Sequence, residues 1–438
     1  MLQVMPLALW ISAFFALALC AQTLLKLWLA ARQMRHVARH RHAVPASFAG
    51  TVSLDAHQRA AAYTVDKLRV SLVEIVVSAA VVLGWTLLGG LDALNAALLG
   101  VVTHPLLQQL ALLGAFAAIG ALIDLPFSLY QTFVIEARHG FNRMSPALWL
   151  ADLLKGTLVG IALGLPLAAL VLWLMAASGA LWWLWVWLTW TGFSVLLMLV
   201  FPTWIAPLFN RFEPLRDESL KQQVAELMAR CGFRAKGLFV VDGSRRSAHA
   251  NAYFTGLGAA KRVVFYDTLL DQLTPGQVQA VLAHELGHFH HRHVTKRLVA
   301  MMAFSLLALA VLGWLSQQPA FFVGLGVTPN LPYALNGVPA IPNHALLLLL
   351  FLLAVPVVSL WVTPWLSHRS RRDEFQADAY AVAQTGRADL QAALLALYND
   401  NASTLTPDPL YARFYYSHPP ASERLAHIAQ AGVVPAHA

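Results

Sequence analysis

Leu181 to Phe209 reads LWWLWVWLTWTGFSVLLMLVFPTWIAPLF, a run without a single charged residue. A helix rises 1.5 Å per residue, so about 20 apolar residues cross the roughly 30 Å hydrocarbon core of a bilayer. This run is long enough to span it with some tilt. Working outward, six more stretches qualify: Pro6 to Ala30, Val70 to Leu91, Leu106 to Val134, Leu148 to Met175, Val299 to Leu315 and Ala345 to Leu366. The composition agrees. At 58% hydrophobic, 12% charged and mean hydropathy +0.60, a chain of 438 residues is no ordinary soluble protein.

The charges orient the spans. Arg32, Arg35, Arg39, Arg41, Arg59 and Lys67 lie between the first two, and Arg138 and Arg143 between the third and fourth. The connections Asn95 to His104, Ala176 to Ala180 and Ser316 to His344 hold no Lys or Arg. By the positive-inside rule the N-terminus is expected outside and the C-terminus in the cytoplasm. Both polar regions, Asn210 to Lys296 and Ser367 to Ala438, then face the cytoplasm. The net charge of +8 thus has a topological reading, and nucleic acid is not an expected partner. No positive charge precedes the first span, which reads as a retained helix. The two cysteines, Cys20 and Cys231, indicate neither a disulfide framework nor a cysteine-based metal site.

The polar region contains Ala283 to Arg292, AHELGHFHHR, with an HExxH motif in His284, Glu285 and His288. On a helix, residues four apart share a face, so both imidazoles can hold one Zn²⁺ while Glu285 takes a proton from the attacking water. Thr274-Pro275-Gly276-Gln277 reads as an N-cap, a proline at the first helical position and a capping-box glutamine. A shuffled chain of this composition would show HExxH roughly once in a hundred tries, so a third ligand is needed. Glu74 and Glu136 belong to other elements, and Glu213, Glu218 and Glu226 precede the expected sheet, leaving Glu374 and Glu423. Glu374 follows the seventh span directly, and Asp378 is one turn further on, placed to bond the far nitrogen of a ligand histidine. The bland alternative is a charged helix start at the membrane surface. His290, His291 and His293 read as interfacial histidines, His291 being about 10 Å along the axis from His284.

Ahead of the motif, Asp217 to Cys231 reads as a helix. Gly237 to Val241, Asn251 to Gly256 and Arg262 to Tyr266 read as strands of a small meander. An edge strand there can hold an extended peptide by β-addition, although a plain packing sheet fits the pattern equally well.

Val44-Pro45, Ala56-His57-Gln58, Tyr63-Thr64, His139-Gly140-Phe141-Asn142 and Pro207-Leu208-Phe209-Asn210 add to HELGH, as do Arg246-Ser247, Asn251-Ala252-Tyr253-Phe254, Glu374-Phe375-Gln376-Ala377-Asp378 and Ser417-His418-Pro419-Pro420. Together they resemble the integral-membrane CAAX prenyl proteases, the Ste24-type M48 zinc metalloproteases, in a prokaryotic-looking form. The resemblance implies a mainly α, polytopic membrane protein whose seven helices enclose a large water-filled chamber, with a zincin-like α+β catalytic region on the cytoplasmic side. It implies one Zn²⁺ per chain on His284, His288 and Glu374, with Glu285 as base. Asn251, Ala252 and Tyr253 fall on the substrate edge strand, and His418 and Arg424 at the reacting carbonyl. Without it, Ser417 to Pro420 would read simply as a helix start. The expected division is a membrane domain over 1–209 and a peptidase domain over 210–438, the latter including spans six and seven at about 295–317 and 343–366.

A wet chamber also accommodates Glu74, Asp124, Asp152 and Lys155, each costing roughly 2.5–3.5 kcal/mol in a span unless it meets water or a partner. An ion path, or snorkelling of Asp152 and Lys155, is the alternative. The expected substrates are peptides or proteins, isoprenylated or membrane-inserted, in a bacterial inner or plasma membrane. The opposing readings are a quality-control protease without prenyl specificity and a transporter or scaffold with a vestigial zinc site. No internal repeat supports transport.

Overall fold

Apolar length fixes where the bilayer begins and ends, but not where a helix does. The computed structural model describes residues 4–233, 237–255, 262–331 and 340–430, and in it seven helices are long and apolar enough to cross a membrane. The first five carry α1 Val4–His40, α2 Leu54–Trp85, α3 Pro105–Tyr130, α4 Pro146–Ala177 and α5 Trp182–Val200. A π-type turn, Gln131–Glu136, prolongs α3, and another, Phe201–Ile205, leads α5 on to Phe209. α1 runs past Ala30 and α2 starts well before Val70, so Arg32, Arg35, Arg39 and Lys67 lie on helix and not on loop. Ser53 and Ser145 fix the starts of α2 and α4 by accepting the N–H groups of Ala56 and Leu148.

The bundle is tightly packed at one end, where Phe15, Leu91, Leu112, Leu172, Leu312 and Leu350 form a buried cluster. Only 6% of the apolar window of the second, third and sixth spans is buried, which a solid bundle would not permit. The seven helices enclose a large chamber.

The polar region after the fifth span is built on α6 Glu218–Arg230 and a four-stranded sheet of β1 Phe212–Pro214, β2 Leu238–Val241, β3 Ala252–Thr255 and β4 Arg262–Tyr266. The order is β1-β2-β4-β3, with β2 and β4 parallel and the outer pairs antiparallel. The expected meander is therefore a mixed sheet. β2 pairs with β4 instead of with its sequence neighbour β3, leaving β3 as an edge; β1 was not anticipated. Gly256, expected to end β3, lies outside the described residues.

α7 Pro275–His290 carries the motif, and its capping box is formed as expected. Val278, Leu282 and Leu286 pack with Leu220, Val224 and Leu227 of α6 and with Val263 and Phe265 of β4. α8 His293–Leu315 is the sixth span, but it is not a straight extension of α7. Arg292 sits at φ 56°, left-handed and costly for a residue with a Cβ, and breaks the helix there. α9 His344–Ser359 and α10 Thr363–Thr385 make the seventh span and its polar extension. α11 Arg387–Asp400, α12 Pro409–Tyr415 and α13 Ala421–Gln430 follow.

Candidate metal and catalytic site

The site forms where α7 meets α10, and a glycine sets how closely. A Cβ on Gly287 would lie 2.9 Å from Ala377 Cα and 3.1 Å from Ala377 O, so only glycine lets the two backbones approach this far. Three residues before Ala377, Glu374 then reaches the motif histidines. His284 Nε2 lies 3.3 Å from His288 Nε2, and the carboxylate oxygens of Glu374 lie 3.4 Å from each of them. Donors about 2.0–2.1 Å from a tetrahedral ion stand about 3.3–3.4 Å apart, which is the spacing found. Glu374 Oε2 is buried without a hydrogen-bond partner among the described residues, and the two imidazole nitrogens turned towards each other suit a shared cation. The donor set fits a divalent metal.

The outer bonds set the tautomers. His284 Nδ1–H donates to Asp378 Oδ1 at 2.9 Å, leaving Nε2 as a lone pair for the cation. His288 Nδ1 meets His293 Nδ1 at 3.0 Å, and His293 Nε2 meets Gln376 Oε1 at 2.9 Å. With the Gln376 carbonyl as acceptor, His293 carries its proton on Nε2 and accepts from His288, whose Nε2 is likewise left as a lone pair facing His284 and Glu374. His293 is 3% exposed, so the interfacial role expected for it does not hold. No spacing signal could have found it. On an unbroken helix it would point well away from His288, and the kink at Arg292 is what brings it back. His290 and His291 stay at the rim, His290 stacked on Tyr380.

Asp378 is fully buried and is neutralised by Arg424, whose Nε donates to Oδ2 at 2.9 Å and whose Nη2 donates to Oδ1. Arg424 Nη1 is 3.8 Å from Glu374 Oε2. Arg424, expected at the reacting carbonyl, thus spends two of its nitrogens bracing a carboxylate. Burial lowers the arginine's pKa, but Asp378 outweighs that and keeps it above its ordinary value. Burial likewise favours a neutral His284, yet the Asp378 and Glu374 carboxylates raise its pKa to about 9. The carboxylates thus favour positive charge at the His284 ring, whether a proton or a metal ion.

A cavity of about 760 Å³ opens in front of these groups, and His284, Glu285, His418, Arg424, Asn251 and Ala252 all line it. His418 stands into it, 63% exposed, with Nε2 3.3 Å from Glu374 Oε1. Tyr253 turns instead to Tyr266, ring centroids 6.2 Å apart. The edge strand is anchored just upstream. Asn401 Oδ1 accepts from Ala250 N–H at 3.1 Å and bonds His249 Nδ1 at 3.2 Å, while the His249 ring stacks 4.2 Å from Phe141. Of the charges noted in the spans, Asp152 accepts from Arg246 Nε at 2.8 Å and Nη2 at 3.0 Å. Lys155 Nζ donates to Leu208 O at 3.0 Å, whereas Asp124 is exposed and Glu74 partly so.

Residues 33–211 match the family described as CAAX prenyl protease N-terminal, five membrane helices, and residues 214–431 match peptidase family M48. The CAAX prenyl protease 1 homolog of Arabidopsis thaliana is 34% identical over 399 residues, covering 87% of this chain and 89% of that protein. CAAX prenyl protease 1 of Saccharomyces cerevisiae is 34% identical over 328 residues, covering 73% and 71%. The crystal structure of S. mikatae Ste24p superposes with a TM-score of 0.86 at 29% identity, covering 97% of this chain and 99% of that one. These relatives are eukaryotic and lend nothing to the prokaryotic source expected from the sequence.

Proposed function

Because the chain belongs to the M48 peptidases of the CAAX prenyl protease 1 type, and is a zinc metalloendopeptidase of the membrane, we propose that His284, His288 and Glu374 hold its one zinc ion and that Glu285 is its catalytic base. The observation that carries this is the 3.3–3.4 Å spacing of the three donors, one of which, His284, lines the same cavity as Glu285. Held by His284, His288 and Glu374, zinc would supply a Lewis acid for the scissile carbonyl and for the attacking water. Glu285 accepts the water proton and passes it to the leaving nitrogen. His418, open to the cavity, donates to the oxyanion. An extended peptide adds to the free edge of β3 at Asn251 and Ala252, and backbone bonds hold its carbonyls towards the site. Arg424 and Asp378 work behind the ligands, fixing the His284 ring.

The proposed domain division falls near residue 210, supported by the two family matches, which end at 211 and begin at 214. The site is proposed to face the cytoplasm, supported by the arginines on the polar ends of α1, α2 and α10. The substrate is proposed to be an isoprenylated C-terminal peptide, on the strength of the relatives' names. Incubating the purified protein with a farnesylated peptide and its unprenylated twin, each with and without a zinc chelator, tests this. Chelator-sensitive cleavage that is faster for the farnesylated peptide is expected. Equal rates point to general membrane proteolysis, and cleavage of neither removes the prenyl specificity.

A further inference from the structure

His418 has few holds of its own. Its ring is 63% exposed and, beyond the Glu374 contact, bonds only the hydroxyl of neighbouring Ser417 among the described residues. Its place is therefore set by the backbone that carries it. Ten residues upstream lies Asp408, 1% exposed, whose carboxylate takes Arg32 Nε at 2.9 Å on both oxygens across 376 residues of sequence. Asp408 Oδ1 also caps α12, accepting the N–H groups of Leu410 and Tyr411 at 3.0 Å. Gln33, next to Arg32 and also 1% exposed, holds both ends of α12. Its Oε1 accepts from Asp408 N–H at 2.6 Å, and its Nε2 donates to Tyr416 Oη at 3.3 Å. From the opposite side, Arg371 Nη1 on α10 donates to Tyr416 O at 2.7 Å. His418 is two residues beyond that last clamp.

We infer that the Arg32–Asp408 ion pair, with Gln33, is a positioning device by which the first membrane helix sets the place of His418 at the reacting carbonyl. The inference rests on the oxyanion reading of His418. Losing Arg32 leaves the buried Asp408 carboxylate only its two cap N–H groups and His36 Nδ1 at 3.7 Å, and cuts the ion pair that ties the start of α12 to α1, so that α12 can shift on Arg371. A catalytic group displaced by about 1 Å can lose about a hundredfold in rate while the binding groups stay in place. Gln33 and His418 line the same cavity, so the helix doing the positioning also forms part of the substrate's wall.

The test is epistasis measured on a fluorogenic peptide with the full-length protein in detergent. Arg32→Gln and Asp408→Asn, the latter keeping an N-cap for α12, are each expected to lower kcat about ten- to hundredfold with KM within about twofold and zinc content unchanged. Arg32→Lys should recover part of the loss. In a His418→Ala background, Arg32→Gln should cost nothing further, since its effect runs through a ring already removed. Should Arg32→Gln prove unstable, Gln33→Leu leaves the ion pair in place and carries the same expectation. If Arg32→Gln lowers the residual activity of His418→Ala by the factor it takes from the wild type, the two act independently and the inference is overturned. If His418→Ala loses activity and neither Arg32→Gln nor Gln33→Leu does, the tether alone is wrong. Full activity in His418→Ala would overturn the oxyanion reading and the tether with it.

Discussion

Asp378→Ala should separate metal affinity from stability, because Asp378 serves both. It is 0% exposed, accepts from His284 Nδ1 at 2.9 Å, and takes Arg424 through Nε at 2.9 Å and through Nη2. Removing it frees the His284 ring to turn and makes its Nε2 less basic. Loss of such a partner costs about 10- to 100-fold in metal affinity, or about 1.4–2.7 kcal/mol. It also strands Arg424, 7% exposed, with no carboxylate nearer than Glu374 at 3.8 Å. A buried charge without its partner costs about 3–5 kcal/mol. Asp378→Ala/Arg424→Leu removes the stranded charge and should regain most of the stability without regaining zinc affinity. Zinc affinity is read by competition with a chromogenic chelator, and stability by thermal unfolding in detergent. Zinc binding within about twofold of wild type in Asp378→Ala would refute the role given to its bond with His284. A double variant as unstable as the single would refute the stranded-charge account.

Glu285→Gln should retain zinc while turnover falls at least about 10²-fold, as loss of a general base does; near-normal peptidase activity would sink the assignment. Gly287→Ala puts a Cβ 2.9 Å from the Ala377 backbone, so α7 and α10 should part and zinc stoichiometry should drop; a fully loaded variant would show that the close approach is dispensable. In chelator-treated protein the pKa of His284 is about 9 against an ordinary 6.5, so the folded state binds that proton more tightly than the unfolded chain does. That stabilisation is whole below about pH 6.5 and lost as pH rises through about 9, and over the same window apparent zinc affinity should rise as the metal displaces the proton. Melting of the stripped protein should fall across this range in the wild type and not in His284→Gln; parallel curves would argue against the raised pKa.

Much of this was legible in one dimension. Hydrophobic runs of bilayer length, the capping box at Thr274 and the four-residue spacing of His284 and His288 are local patterns, and local patterns survive without a fold. Glu374 was reachable because it follows a span at a fixed depth, which turns sequence position into height above the membrane. The kink at Arg292, however, depends on strain that only the surrounding packing can hold, so His293 changes from a rim residue to the hydrogen-bond partner of His288 with no change in spacing. The parallel pairing of β2 with β4 is a long-range choice that strand propensity does not carry, and it decides that β3 is left at an edge of the sheet. The Arg32–Asp408 and Arg424–Asp378 pairs join residues 376 and 46 apart, and no periodicity links them. The sequence by itself determined a seven-span membrane metallopeptidase and the HExxH and Glu374 residues proposed as its ligands and base. Only the tertiary structure decided which groups surround His284 and His288 and which contacts pin the segment that leads to His418, because a bond between distant residues costs chain entropy that is repaid only once the whole fold brings them together.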